Sequence, residues 1–280
     1  MKIVEKIIDV RKLLLQAKMQ NKKIAFVPTM GALHDGHLSL VEEAKKFADF
    51  VVVSIFINKA QCNDLSDYEK YPRNFEADLE KLKEKNVDAV FLPQDEEIYP
   101  DENYFEIKPK KLTDCLCGAS RKGHFDGVAL VVSKLFNIVK PDFAVFGKKD
   151  FQQFVVIKKL VENFNFDIEI VGVETVREVS GLAMSSRNQR LSVDEKKIAA
   201  NIFRILNEIK NEVKKLQNIE NILQNKKEEL LKIGFEKIDY LEIRDEEKLE
   251  LIDDFNDQKK YRIFVALYLH KVRLIDNLKI

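Results

Sequence analysis

The sequence predicts an α/β protein, a doubly wound, Rossmann-like parallel sheet with a smaller C-terminal α+β domain. Three observations carry that expectation. Unbroken apolar runs such as Phe50-Val-Val-Val-Ser-Ile-Phe-Ile57 are the pattern of strands buried on both faces. Over roughly the first 170 residues such runs alternate with stretches of helical period. From Val193 to Lys232 the composition shifts to Lys, Glu, Leu, Ile and Asn with almost no Gly or Pro. The expected division is residues 1–175 for the first domain and 176–280 for the second.

The elements follow in order. Ile3, Ile7, Val10, Leu14 and Ala17 recur at spacings of three and four and predict one helix over Met1 to Lys18. Lys23 to Thr29 is a short apolar run ending at Pro28, a buried strand opening into a loop with Gly31 and Gly36. His37 to Ala48 has helical period and leads into the strand Phe50 to Ile57, which makes a βαβ unit. The alternation continues with a helix over Asn74 to Glu84, a strand at Ala89 to Leu92, a helix at Val128 to Val139 and a strand at Phe143 to Phe146. A helix at Phe151 to Phe164 and a strand at Ile168 to Val171 complete the first domain. Two or three helices follow from Val193, then strand-like runs at Ile238 to Ile243, Tyr261 to Leu269 and Val272 to Ile275, which predict helices over a small antiparallel sheet.

Composition narrows the function. With 47 Lys plus Arg against 47 Asp plus Glu in 280 residues, the chain lacks the basic excess of a nucleic-acid binder. At 45% hydrophobic residues with 9 Gly and 6 Pro, it has the make-up of a folded globular protein. Three Cys without a framework suit reduced thiols, so the expected compartment is the cytoplasm. The charged N-terminus shows no targeting segment, and no apolar stretch is long enough to predict a membrane partner.

Three segments carry chemistry. Pro28-Thr-Met-Gly-Ala-Leu-His34-Asp-Gly-His37 lies between the first strand and its helix, at the carboxyl edge where doubly wound sheets bind ligands. Its glycines permit close approach of backbone to ligand, and the helix start offers free N–H groups for phosphate. His34 and His37, three apart, can donate to the same oxyanion. A metal pair or two ordinary loop histidines are the bland alternatives, although no third soft ligand is evident and the Gly-Lys-Ser/Thr of a P-loop is absent. Phe146-Gly-Lys-Lys149-Asp-Phe-Gln-Gln153 returns the chain to the same edge, where Lys149 could neutralise phosphate charge; a lone Lys-Lys pair is otherwise solvated surface. Val176 to Asn188 holds Gly181, Ser185, Ser186 and Arg187 at the domain junction, either a lid over a nucleotide or a polar linker.

Together with Ser54-Ile-Phe-Ile-Asn58, Gln61, Tyr71-Pro-Arg73 and Gly123-His-Phe-Asp-Gly-Val128, these segments resemble the pantothenate synthetases, ATP-dependent ligases of the HIGH-type nucleotidyltransferase superfamily that join pantoate to β-alanine. The resemblance runs along nearly the whole chain. It implies a pantoyl-adenylate intermediate with release of pyrophosphate and then AMP. It implies ATP contacts by Met30, Gly31, Ala32, Leu33, His34, Asp35, Gly36 and His37, by Gly147, Lys148, Lys149 and Asp150, and by Val176, Met184, Ser185, Ser186 and Arg187. His37 is implied as proton donor, with His34, Lys149 and Arg187 stabilising phosphate charge. Gln61 and Gln153 match the pantoate-binding glutamines, Gln61 also serving β-alanine; Asn58 and His124 stand nearby as secondary candidates. Mg²⁺ is implied on the ATP phosphates, near Asp78, and a homodimer through the first domain.

Lys59, Cys62 and Lys148 depart from the family's usual proline, phenylalanine and glutamate. Gly118-Ala-Ser-Arg-Lys-Gly-His124 also differs from a common proline-containing version. Cys115 and Cys117 read as free thiols, and His270 as an exposed or packed strand residue. A nucleotidyltransferase that never forms an amide, and a silent nucleotide-binding regulator, are the competing functions.

Overall fold

The structure, a computed structural model, describes residues 1–62, 68–69, 71–101, 105–215, 218–252, 254–256 and 258–280. The first strand β1 (Lys2–Val4) precedes helix α1 (Ile7–Met19), where one helix spanning both was expected. A three-residue edge strand is too short to show a period, and Ile3 falls by coincidence in phase with the helix stripe. Its side chain is 50% exposed, whereas Val10, Leu14 and Ala17 of α1 are buried as the stripe requires.

The succession then runs β2 (Ile24–Thr29), α2 (Asp35–Phe47), β3 (Phe50–Ile55), α3 (Phe75–Glu84), β4 (Ala89–Phe91) and α4 (Asp95–Ile98). It continues with α5 (Leu116–Ser120), α6 (His124–Val139), β5 (Phe143–Gly147), α7 (Phe151–Phe164) and β6 (Glu169–Val173). Helix α6 begins at His124, four residues before the expected start, because Gly123 takes the left-handed conformation (φ 78°) that turns the chain into it.

The six strands form one parallel sheet in the order β1-β4-β3-β2-β5-β6. Strands β2 to β4 are added in one direction and β5 and β6 in the other, so the strand order reverses between β2 and β5. Apolar clusters cover both faces, one built with α1, α6 and α7 and the other with α2 and α3. Burial on both faces explains the unbroken apolar strands. Pairing of β2 with β3 persists to Thr29, but its pairing with β5 holds only at Ala25 and Phe26. The two strands therefore part toward their carboxyl ends and open a crevice at the reversal point, where such sheets take ligands.

Three helices, α8 (Val193–Ala199), α9 (Asn201–Val213) and α10 (Ile219–Ile233), precede an antiparallel sheet of β7 (Lys237–Asp245), β8 (Tyr261–Leu269) and β9 (Val272–Lys279). Ile263, Val265 and Leu267 of β8 face α9 and α10 in one core, while Phe264 and Ala266 join the core of the parallel sheet. The Phe151 and Phe264 rings lie 5.9 Å apart across that contact. With both faces covered, β8 is apolar almost throughout, as its sequence showed. His270 sits at the β8–β9 turn (φ 49°), where its ring meets Glu236 and Glu195, not within a strand. Among the described residues no helix is long and apolar enough to cross a membrane.

Candidate active site

The loop after β2 is shaped by a carboxylate from α3. Gly31 has φ 81° and Ala32 φ 51°, and the buried Asp78 accepts the Ala32 and Leu33 N–H groups, each at 2.8 Å. A Cβ on Gly31 would lie 3.1 Å from Asp78 Oδ2. Asp78 does not line the cleft, so it braces the loop from beneath where a metal ligand was expected.

The expectation of free helix-start amides is also corrected. His34 caps α2, its Nδ1 accepting the Gly36 N–H at 3.1 Å, and His37 Nδ1 accepts the His34 N–H at 3.4 Å, a reciprocal capping box made of two imidazoles. The His37 N–H bonds the His34 carbonyl at 2.7 Å. The rings lie 4.1 Å apart. Capping needs a lone pair on Nδ1, so each neutral ring carries its proton on Nε2, its only donor. Burial, aided by the Lys149 charge, lowers His34 to about 4, and burial, aided by His34, lowers His37 to about 3. Both are neutral Nε2–H donors at physiological pH.

Gly36 makes this possible, since a Cβ there would lie 2.8 Å from His34 Cε1 and 2.9 Å from Nδ1. Gly36→Ala is expected to swing His34 out of its cap and slow turnover roughly tenfold by misplacing a donor. Steady-state kinetics with a thermal melt checks this, and an unchanged rate removes the constraint.

Beyond β5, a single 3₁₀ turn (Lys148–Asp150) brings Lys149 to the crevice. Asp150 faces the cleft; surrounding atoms push its carboxyl up, but Lys149 and Arg187 outweigh them and hold it below the usual carboxylate range. Lys148 does not line the cleft and pairs at 2.5 Å with Glu174, which does. The loop after β6 folds back on itself through an Arg177–Ala183 bridge and a Met184 N–H to Val176 carbonyl bond. Ser185 then caps a 3₁₀ turn (Ser186–Arg190) that delivers Ser186 and Arg187.

These segments enclose a cleft with about 1580 Å³ of empty space including its mouth. Of the predicted residues, Met30, His34, Gly36, His37, Gly147, Lys149, Asp150, Val176, Met184, Ser185, Ser186 and Arg187 line it, as do Gln61, Gln153, Asn58 and His124. Gly31, Ala32, Leu33, Asp35 and Lys148 do not; Leu33 is core, and Gly31 N–H is bound to Thr29 Oγ1. Buried Asn58 donates to Gln61 Oε1 at 3.0 Å and to the Gly127 carbonyl, and accepts from Tyr99, which fixes the Gln61 amide. Gln61 Nε2 meets Met30 Sδ at 2.9 Å, a weak acceptor that a ligand oxygen can replace. His124 Nδ1 contacts the Gln61 carbonyl oxygen at 2.7 Å, and burial with Arg121 beside it lowers the ring to about 4.

Sequence reasoning gave no role to Tyr71 or Arg121, which line the cleft, or to its apolar wall of Phe56, Val128, Val131, Val132 and Leu135. The helical period of α6 held the signal for that wall, but period alone does not separate a wall from a core. A second cavity shares Arg121, His124, Lys149, Asp150, Gln153, Ser185 and Arg187 with the cleft and reaches back to β9. Cys62, Cys115 and Cys117 form no disulfide with one another, Cys117 Sγ lying 3.1 Å from the Tyr240 hydroxyl.

A family model described as pantoate-beta-alanine ligase matches residues 2–279. The chain belongs to the pantoate–β-alanine ligase family. Pantothenate synthetases from Caldicellulosiruptor bescii (45% identical over 279 residues, 99% of this chain and 98% of the relative) and Thermotoga petrophila (46% over 281 residues, 99% of each) are among its relatives. Among solved structures, the pantothenate synthetase from Thermus thermophilus superposes with a TM-score of 0.92 at 39% identity, covering 99% of both chains. The pantoate–β-alanine ligase from Francisella tularensis, solved with β-γ ATP and β-alanine, gives 0.84 at 38% identity, covering 99% of this chain and 97% of its own. As a member of this ligase family the chain is an enzyme, with the parallel sheet and small antiparallel sheet of these neighbours.

Proposed function

We propose that this chain condenses pantoate with β-alanine to pantothenate through pantoyl adenylate. The pantoate carboxylate attacks the α-phosphorus of ATP and pyrophosphate leaves; the amine of β-alanine then attacks the acyl carbon and AMP leaves. A carboxylate is a poor acyl donor because oxide would be its leaving group, and adenylation supplies a good one. No enzyme nucleophile is needed, so the protein's work is orientation and charge stabilisation. The observation that carries this reading is the meeting of His34, His37, Lys149 and Arg187 with Gln61 and Gln153 in one cleft at the β2–β5 reversal.

ATP is assigned to the edge formed by Met30, His34, Gly36, His37, Gly147, Lys149 and Asp150, with Val176 and Met184 to Arg187 over it. Pantoate is assigned to Gln61 and Gln153, its geminal methyls against Val131, Val132 and Leu135 of α6, which suits an apolar body with a polar end. β-Alanine enters beside Gln61. Among the described residues no group of three or more His, Cys, Asp or Glu side chains forms a metal cage. Mg²⁺ is assigned to the nucleotide's phosphates, as fits a cation that keeps its waters, and supplies charge neutralisation there. Residues 176–280 act as the lid over 1–175, and the enzyme is a cytoplasmic homodimer, for which light scattering should read twice the chain mass.

The deciding assay follows AMP released from ATP and Mg²⁺ with pantoate, with and without β-alanine, alongside mass detection of pantothenate. β-Alanine-dependent AMP with pantothenate supports the ligase reading. Pyrophosphate without amide turns it toward a plain nucleotidyltransferase, and ATP binding without turnover toward a regulator.

A further inference from the structure

The 3₁₀ turn that carries Lys149 has no side-chain cap of its own, yet its carbonyls are held from 128 residues away. Asn277 of β9 donates from Nδ2 to the Lys149 carbonyl at 2.7 Å and to the Lys148 carbonyl at 3.0 Å. An amide nitrogen has two hydrogens, one for each carbonyl. Its oxygen accepts from Arg262 Nη1 at 2.5 Å, so a charged donor on one side fixes which way the amide faces on the other. Asn277 and Arg262 are buried at 3% and 2% exposure, and Arg262 is held in turn by Glu246 and by the Phe151 ring 4.0 Å below it.

The preceding residue does the same for the opposite loop. Asp276, also buried, takes both Arg177 amino groups at 2.6 and 2.9 Å. Arg177 in turn donates to the Gly181 carbonyl and lies 3.9 Å over the Phe203 ring. Consecutive residues of a strand point to opposite faces, so β9 grips the Lys149 turn with one side chain and the root of the Met184 to Arg187 loop with the next.

We infer that Asn277 is a positioning residue for adenylation, its amide holding the Lys148 and Lys149 carbonyls so that the Lys149 ammonium is set at the α-phosphate. The inference rests on the phosphate role proposed for Lys149. It adds that the second sheet places a charge the first sheet's own turn would leave loose.

The test is a double-mutant cycle on single-turnover pyrophosphate release at saturating ATP, Mg²⁺ and pantoate. Asn277→Ala removes donor and acceptor; Asn277→Asp keeps an acceptor for Arg262 and sets a carboxylate oxygen, which cannot donate, against the two carbonyls, so it reads the same step if Asn277→Ala folds poorly. Each is expected to slow release about tenfold in the parent and less than about twofold in a Lys149→Ala background, because a residue acting through Lys149 has nothing left to act on there. Equal losses in both backgrounds would show a general structural role and overturn the inference, and so would a parental rate in Asn277→Asp. A parental rate in Lys149→Ala alone would instead remove the Lys149 reading, and that is read from a different variant.

Discussion

Lys149→Ala is expected to slow pantoyl-adenylate formation by about 10² or more, with the fold retained. The side chain lines the cleft and belongs to no apolar cluster, so truncation leaves no core cavity. Its charge already reaches the cleft edge, where, after burial, it is the next influence holding the His34 imidazole down. Adenylation moves negative charge from the attacking carboxylate across the α-phosphate to pyrophosphate, and an ammonium beside that path interacts more strongly as charge gathers there. A hundredfold loss corresponds to about 2.7 kcal/mol of transition-state stabilisation. Aminolysis from preformed adenylate releases no pyrophosphate and should fall much less. Single-turnover rates of the two half-reactions, with a thermal melt as control, check this, and adenylation within about threefold of the parent would sink the assignment.

What was legible in the sequence was local. Strand, glycine and helix start occur together at both Pro28–His37 and Phe146–Gln153, so both cleft-lining loops and the sheet edge could be placed from a few adjacent residues each. Helix α7 runs over Phe151 to Phe164 as its period required. What was not legible depends on pairs far apart in the chain. Asp78 braces Ala32 from 46 residues away and Asn277 holds Lys149 from 128, and neither leaves a periodic or compositional trace. The family resemblance implies Mg²⁺ near Asp78, and the carboxylate is engaged by the Ala32 and Leu33 N–H groups. The helix start of α2 failed for a different reason. The general rule supplies free amides there, but these two histidines occupy the first turn themselves. On the phosphate role proposed for this edge, imidazole Nε2–H groups would meet the oxyanion in place of backbone.

His37→Ala is expected to cost turnover about 10² or more through loss of the ring's neutral Nε2–H donor. The family resemblance implies a proton donor. Displacement of pyrophosphate by a carboxylate transfers no proton, however, and in the empty protein burial lowers the ring to about 3, which leaves it as the neutral Nε2–H form. A hydrogen bond that strengthens as phosphate charge grows is sufficient. His37→Gln can place an amide N–H near the Nε2 position and should recover part of the rate, whereas a general acid would be lost equally in Ala and Gln. The same burial fixes an acid signature of the empty protein. The unfolded chain binds protons on ordinary histidines near 6.5, while folded His34 and His37 resist protonation to about 4 and 3. More protons on the unfolded side mean that stability falls as pH drops from about 6.5 toward those values. Removing His37 should make the fall shallower, readable as Tm against pH in parent and variant. A profile equally steep in His37→Ala would place the acid sensitivity elsewhere and overturn the burial-lowered state of this ring.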